Sequence, residues 1–110
     1  MAALEYLVHV DSAHTPADLV ALTIDVPDDL AVETLDAASL PADWAQTVGS
    51  YECQAAGDAW LIAGATPILR VPAAPIPEEH NFLLNPRHAM SGRWQTIAER
   101  PFTYDPRLLL

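Results

Sequence analysis

Ala56, Ala59, Trp60 and Ala63 recur at i, i+3, i+4 and i+7, the spacing of one helical face, and Gly64 follows where a left-handed C-terminal cap is wanted. The pattern predicts a helix that ends at Gly64. Pro67 then opens an apolar, β-rich run, Ile68-Leu69-Arg70-Val71, which Pro72 closes because proline cannot donate into a sheet ladder. Helix and strand together should form the nucleus of the core. Ala55, Ala56, Gly57 and Ala59 are small enough for close approach, and Trp60 is the one large anchor on the helix.

Elsewhere the pattern is weaker. Leu4, Leu7 and Val8 make a short helical stripe, with Glu5 and His9 at i and i+4 on its flank, followed by a polar turn from Asp11 to Asp18. Leu19 to Val26 is the strongest strand signal, and its nearly unbroken apolarity predicts a strand covered on both faces. Val32 to Leu35 reads as a shorter strand, and Leu40 to Trp44 as a helical turn or loop. Pro72, Pro75 and Pro77 predict an extended, polyproline-like crossing before the chain re-enters the sheet at Asn81 to Leu84. Asn85 to His88 is a turn, Trp94 to Glu99 and Phe102 to Tyr104 are candidate strands, and Asp105-Pro106 is a helix-start pair. The sum is an α/β (α+β) fold with a single small mixed sheet and packed helices.

Composition narrows the class. A chain of 110 residues, 51% hydrophobic, is long enough to bury a core and reads as one domain spanning residues 1–110. No run approaches the ~18 apolar residues of a membrane span, and no secretory leader is visible, so a soluble cytoplasmic protein is expected. Cys53 has no intramolecular partner and is expected to behave as a small buried hydrophobe. The net charge of -10, with five arginines and no lysine, argues against nucleic-acid or anionic-membrane binding. The acids concentrate before residue 60, while Arg87, Arg93, Arg100 and Arg107 lie in the last quarter.

Motifs of common chemistries are missing. The chain has no glycine-rich phosphate loop, no G-x-S-x-G elbow and no H-E-x-x-H helix. Cys53, His9, His14, His80 and His88 fall in no metal-binding spacing, so no metal site is expected.

Six segments nevertheless carry a resemblance. Leu4-Glu5-Tyr6-Leu7-Val8-His9, Ile24-Asp25-Val26-Pro27-Asp28-Asp29-Leu30, Gln54-x-x-Gly57-Asp58-Ala59-Trp60-Leu61, Leu69-Arg70-Val71-Pro72, Asn81-Phe82-Leu83-Leu84-Asn85-Pro86-x-His88 and Phe102-x-x-Asp105-Pro106-Arg107-Leu108 stand in the order and spacing of a known pattern. Together the chain resembles the RES-domain family of bacterial toxins. The resemblance implies an ADP-ribosyltransferase-like fold, with NAD as substrate rather than cofactor, cleaved or transferred at its nicotinamide-ribose bond. It also implies a cognate Xre-type antitoxin as partner.

The same resemblance assigns roles. Glu5 matches the family glutamate, and a carboxylate there suits the oxocarbenium-like charge that builds on ribose as nicotinamide leaves. Ser50 and Gln54, just before and within the central helical motif, are the candidate NAD contacts. Where many members place serine after Val71-Pro72, this chain has Ala73. The family arginine belongs to a segment expected ahead of residue 1, so the chain is expected to be an N-terminally incomplete domain with weak or no activity. The alternative is a non-catalytic binding module that keeps the antitoxin-contacting surface. Loss of a covering element should leave Val20, Leu22, Ile24 and Trp60 partly exposed and favour homo-oligomers.

Overall fold

The computed structural model describes residues 17–45 and 51–109. The order is β1 (Val20–Asp25), β2 (Val32–Thr34), α1 (Tyr51–Ala63), β3 (Ile68–Pro72), β4 (His80–Leu84) and β5 (Gln95–Pro101), with short 3₁₀ turns at Ala37–Ser39, Ser91–Arg93 and Pro106–Leu109. It is a mixed α+β architecture, as expected, but the described strands form two small sheets where a single one was expected. The mixed sheet has the order β2-β3-β4, and β1 pairs with β5 in a separate two-stranded sheet.

The predicted helix is α1, and it ends where the glycine signal placed it. Gly64 takes φ 61, and its N–H donates to the Trp60 carbonyl at 3.1 Å, closing the last turn. Trp60 is the buried residue of this helix, at 8% exposure, which overturns the expectation that it would be partly uncovered. Its indole Nε1 donates to Thr66 Oγ1 at 3.0 Å, and the Thr66 hydroxyl lies 3.4 Å from Glu33 Oε2 and 3.3 Å from the Ile68 carbonyl. A buried indole N–H needs an acceptor, and Thr66 supplies it. The same bonds tie the end of α1 to the start of β3 and to β2. Cys53, expected to be buried, is only half-buried on this helix.

β2 and β3 run parallel, with Val32 opposite Ile68 and Thr34 opposite Arg70, and the Leu35 N–H extends the ladder to the Arg70 carbonyl at 2.9 Å. A parallel pair needs a long crossover, and the segment containing α1 provides it. β4 returns antiparallel to β3, from Ile68 opposite Leu84 to Pro72 opposite His80. The proline-rich segment is therefore a hairpin connection rather than a crossing. The Ala73 N–H donates to the Glu79 carbonyl at 3.0 Å and closes the loop at its base. Prolines removed ladder donors inside the loop without preventing the chain from reversing.

The buried apolar side chains among the described residues are Leu30, Trp60, Ile68, Leu69 and Ala73. Both faces of β3 are thus covered at its start. Asn85 is buried at the end of β4, where its N–H donates to the Pro67 carbonyl and its Oδ1 accepts from the Arg87 N–H at 3.0 Å. That closes the turn predicted at Asn85 to His88.

β1 corrects the strongest strand expectation. The strand forms, pairing from Val20 opposite Pro101 to Asp25 opposite Gln95, but it is not covered on both faces. Val20, Leu22 and Ile24 share one face and are 54%, 52% and 40% exposed. Their exposure contradicts the coverage expected from the strand's unbroken apolarity and fits the partial exposure expected if a covering element is lost. A register shift between Thr23 and Ile24 leaves Ile97 as the extra residue on β5. Phe102 to Tyr104 is not a strand. The Phe102 N–H reaches the Leu19 carbonyl at 2.9 Å, and its ring then meets Tyr104 edge-on at 5.2 Å, which takes the chain away from the ladder.

Candidate functional site

Glu5 and Ser50 lie outside the described residues. Gln54 sits exposed in the first turns of α1. The residue that takes the place of serine in many members, Ala73, is fully buried, with 0% exposure, at the junction of β3 and the hairpin loop. The described residues contain no group of His, Cys, Asp and Glu able to hold a metal ion. None of their helices is long and apolar enough to cross a membrane.

The junction that encloses Ala73 also assembles a pair that sequence spacing does not reveal. Pro72 stands opposite His80 and Arg70 opposite Phe82, so Arg70, Phe82 and His80 fall on one face of the sheet, together with Thr34 from β2. Glu33, Leu69 and Leu83 take the other face, the one tied to Trp60 through Thr66. On the first face an Arg70 Nη2 lies 3.1 Å from His80 Nδ1. Guanidinium only donates, so Nδ1 accepts, and the imidazole proton resides on Nε2.

Arg70 is the half-buried arginine; Arg87, Arg93, Arg100 and Arg107 are all exposed. Among the described residues two of those four pair with carboxylates, Arg93 with Asp29 at 2.9 Å and Arg107 with Asp105 at 2.6 Å. Arg70 meets no carboxylate among the described residues. Phe82 stands beside it with 57% of its surface exposed. The face combines a partly desolvated cation, a fixed imidazole donor and an open aromatic ring. Such a set binds anions attached to flat rings better than it performs proton transfer.

Comparison with known proteins agrees with the motif pattern. A family model described as the RES domain matches residues 1–105. The chain is 31% identical over 111 residues to the Prs ADP-ribosylating toxin of Sphingobium sp., covering 99% of this chain and 69% of that protein. It is 34% identical over 110 residues to Toxin Res of Photorhabdus laumondii, covering 99% and 70%. It is 29% identical over 109 residues to Toxin Res of Yersinia enterocolitica, covering 98% and 71%.

Proposed function

This chain belongs to the RES domain family, and on that premise we propose that it acts on NAD at the bond between nicotinamide and ribose. The observation that carries this reading is the family match over residues 1–105, which includes the segment bearing Glu5. One of the relatives is named an ADP-ribosylating toxin, and the donor in ADP-ribosylation is NAD.

In this reading the C1′–N bond of the nicotinamide riboside breaks, and nicotinamide leaves with the bonding electron pair. Glu5 carboxylate stabilises the positive charge on ribose, because an anion preorganised against developing charge acts more strongly than solvent. An acceptor oxygen then bonds to C1′ and loses its proton. Water would give hydrolysis, phosphate phosphorolysis, and a protein side chain ADP-ribosylation. Ser50 and Gln54 hold the ligand, and an Xre-type antitoxin blocks the protein in a bacterial cytoplasm.

Activity of residues 1–110 alone should be low, since 15 acids outnumber five arginines around a substrate with two phosphates. The test is nicotinamide release from NAD by the purified chain, followed by chromatography, beside Glu5→Gln. A slow release that falls by about 100-fold or more in Glu5→Gln supports the reading. No release, or equal release by both proteins, refutes it. Fast turnover by the natural chain overturns the low-activity part alone.

The exposed apolar face of Val20, Leu22 and Ile24 favours a second reading, a binding module without chemistry. Stable co-purification with an Xre-type protein, without NAD loss, would select it.

A further inference from the structure

We infer that Arg70, His80 and Phe82 form a subsite for a nucleotide diphosphate, with the phosphates on the arginine–histidine pair and the base stacked on the phenylalanine ring. The inference takes only the identity of its ligand from the NAD reading. Its geometry stands on the β3–β4 register.

Three observations on this face converge. Arg70 is half-buried, yet none of the molecule's many acids among the described residues neutralises it. In a chain of net charge -10 a partly desolvated cation without a carboxylate is costly to keep, and an anionic ligand would offset that cost. The contact at 3.1 Å between Arg70 and His80 Nδ1 uses one guanidinium N–H and leaves the others, with the His80 Nε2–H, as donors. The Arg70 guanidinium makes no other hydrogen bond among the described residues. Phosphate oxygens accept such paired donors well.

Phe82 supplies the third element. It lies directly opposite Arg70 in the ladder, about 5 Å away between Cβ atoms, and it is 57% exposed. An apolar ring open to water beside a cation offers a purine a stacking surface within reach of the phosphate position. The distance from base to diphosphate in a nucleotide is bridged by one ribose, which suits neighbouring positions on one sheet face. A lone phosphate would use Arg70 and His80 but gain nothing from Phe82, which separates the two ligand types experimentally.

ADP and inorganic pyrophosphate are the probes, measured by calorimetry with the natural chain, Arg70→Gln and Phe82→Ala. His80 ring signals are followed by NMR. The expected result is saturable ADP binding that shifts the His80 Nε2 resonance, weakens about tenfold or more in Arg70→Gln, and weakens about tenfold in Phe82→Ala. Pyrophosphate should bind more weakly than ADP and be indifferent to Phe82→Ala. Absence of ADP binding to the natural chain, or unchanged ADP binding in Arg70→Gln, overturns the subsite. Should Arg70→Gln lose its helical circular dichroism, Phe82→Ala decides at its exposed position: unchanged ADP affinity overturns the proposal, and a selective loss for ADP supports it. The two readings fail separately. ADP binding through Arg70 without nicotinamide release would sink the NAD chemistry and leave the subsite. Nicotinamide release with the same KM in Arg70→Gln would do the reverse.

Discussion

Truncating Trp60 tests whether the helix-on-strand contact holds the fold. Its side chain is 8% exposed, it is the buried residue of α1, and its indole N–H is bound to Thr66 at 3.0 Å. Trp60→Ala removes nearly the whole buried ring and leaves a void, so the cost should be about 3–5 kcal/mol. Total stability of a domain is only about 5–15 kcal/mol, so a loss of this size is a large part of it. Trp60→Phe separates the two contributions. It keeps most of the apolar area and deletes the N–H, while Thr66 retains Glu33 and Ile68 as neighbours at 3.4 and 3.3 Å. That change should cost about 1 kcal/mol for the bond, plus a smaller packing loss. Urea unfolding followed by far-ultraviolet circular dichroism measures both, at several protein concentrations to exclude association. A Trp60→Ala midpoint within about 1 kcal/mol of the natural chain would refute the reasoning, because α1 would then be held by something other than its anchor.

Two glycines of the helix predict effects of opposite sign. A Cβ at Gly57 meets nothing within 4 Å, so Gly57→Ala in mid-helix should stabilise by about 0.5–1 kcal/mol; Gly64→Ala meets nothing either but must hold φ 61, and should destabilise by about 1–2 kcal/mol. Thermal melts that move in the same direction for both would contradict the cap assignment. Asn85→Ala should cost about 1–3 kcal/mol in chemical unfolding, since it strips the buried acceptor from the Arg87 N–H. Asp105 titrates below the ordinary aspartate range because the Arg107 guanidinium and backbone N–H bond its carboxylate. A lowered folded value means the contribution is present above the unfolded pKa and is lost as pH falls through the folded one. In an NMR titration Arg107→Ala should return the Asp105 carboxyl toward its ordinary value. An unmoved titration curve would show that the pair is not formed in solution.

What was legible in the chain was local. The helix around Trp60, the Gly64 cap, the Pro67 boundary and the Asn85 turn depend on residues within one or two turns of each other, and spacing encodes them, although Ala59 and Ala63 of the predicted apolar face are exposed and Trp60 is the residue of it that is buried. β1 was recognised as a strand for the same reason, but its coverage was not, because coverage depends on what arrives from elsewhere in the chain. Its partner β5 comes from the far end of the sequence and brings Pro101, Glu99 and Thr96 opposite Val20, Leu22 and Ile24. Glu99 and Thr96 continue the backbone ladder, Pro101 has no N–H to give it, and none of the three adds an apolar layer over the strand. The loop prolines misled in another way: Pro75 and Pro77 predict extended backbone correctly, yet extension of single residues says nothing about whether their ends meet.

The two halves of the proposed chemistry differ in the same respect. Glu5 and Gln54 belong to contiguous motifs, so a resemblance finds them one at a time. Arg70 and His80 become neighbours only because the hairpin closes with Ala73 bonded to Glu79, which sets Pro72 opposite His80. Any other closure by one residue would turn His80 to the opposite face, since side chains alternate along a strand. The burial of Ala73 follows from that closure: with 0% exposure at the base of the loop, its position has no open side from which to reach a ligand. The open side belongs to the sheet face one residue earlier in the alternation, where Arg70, Phe82 and His80 converge. In the proposed subsite, ligand contact at this end of the sheet therefore belongs to a guanidinium and a ring fixed by register rather than to the position of Ala73.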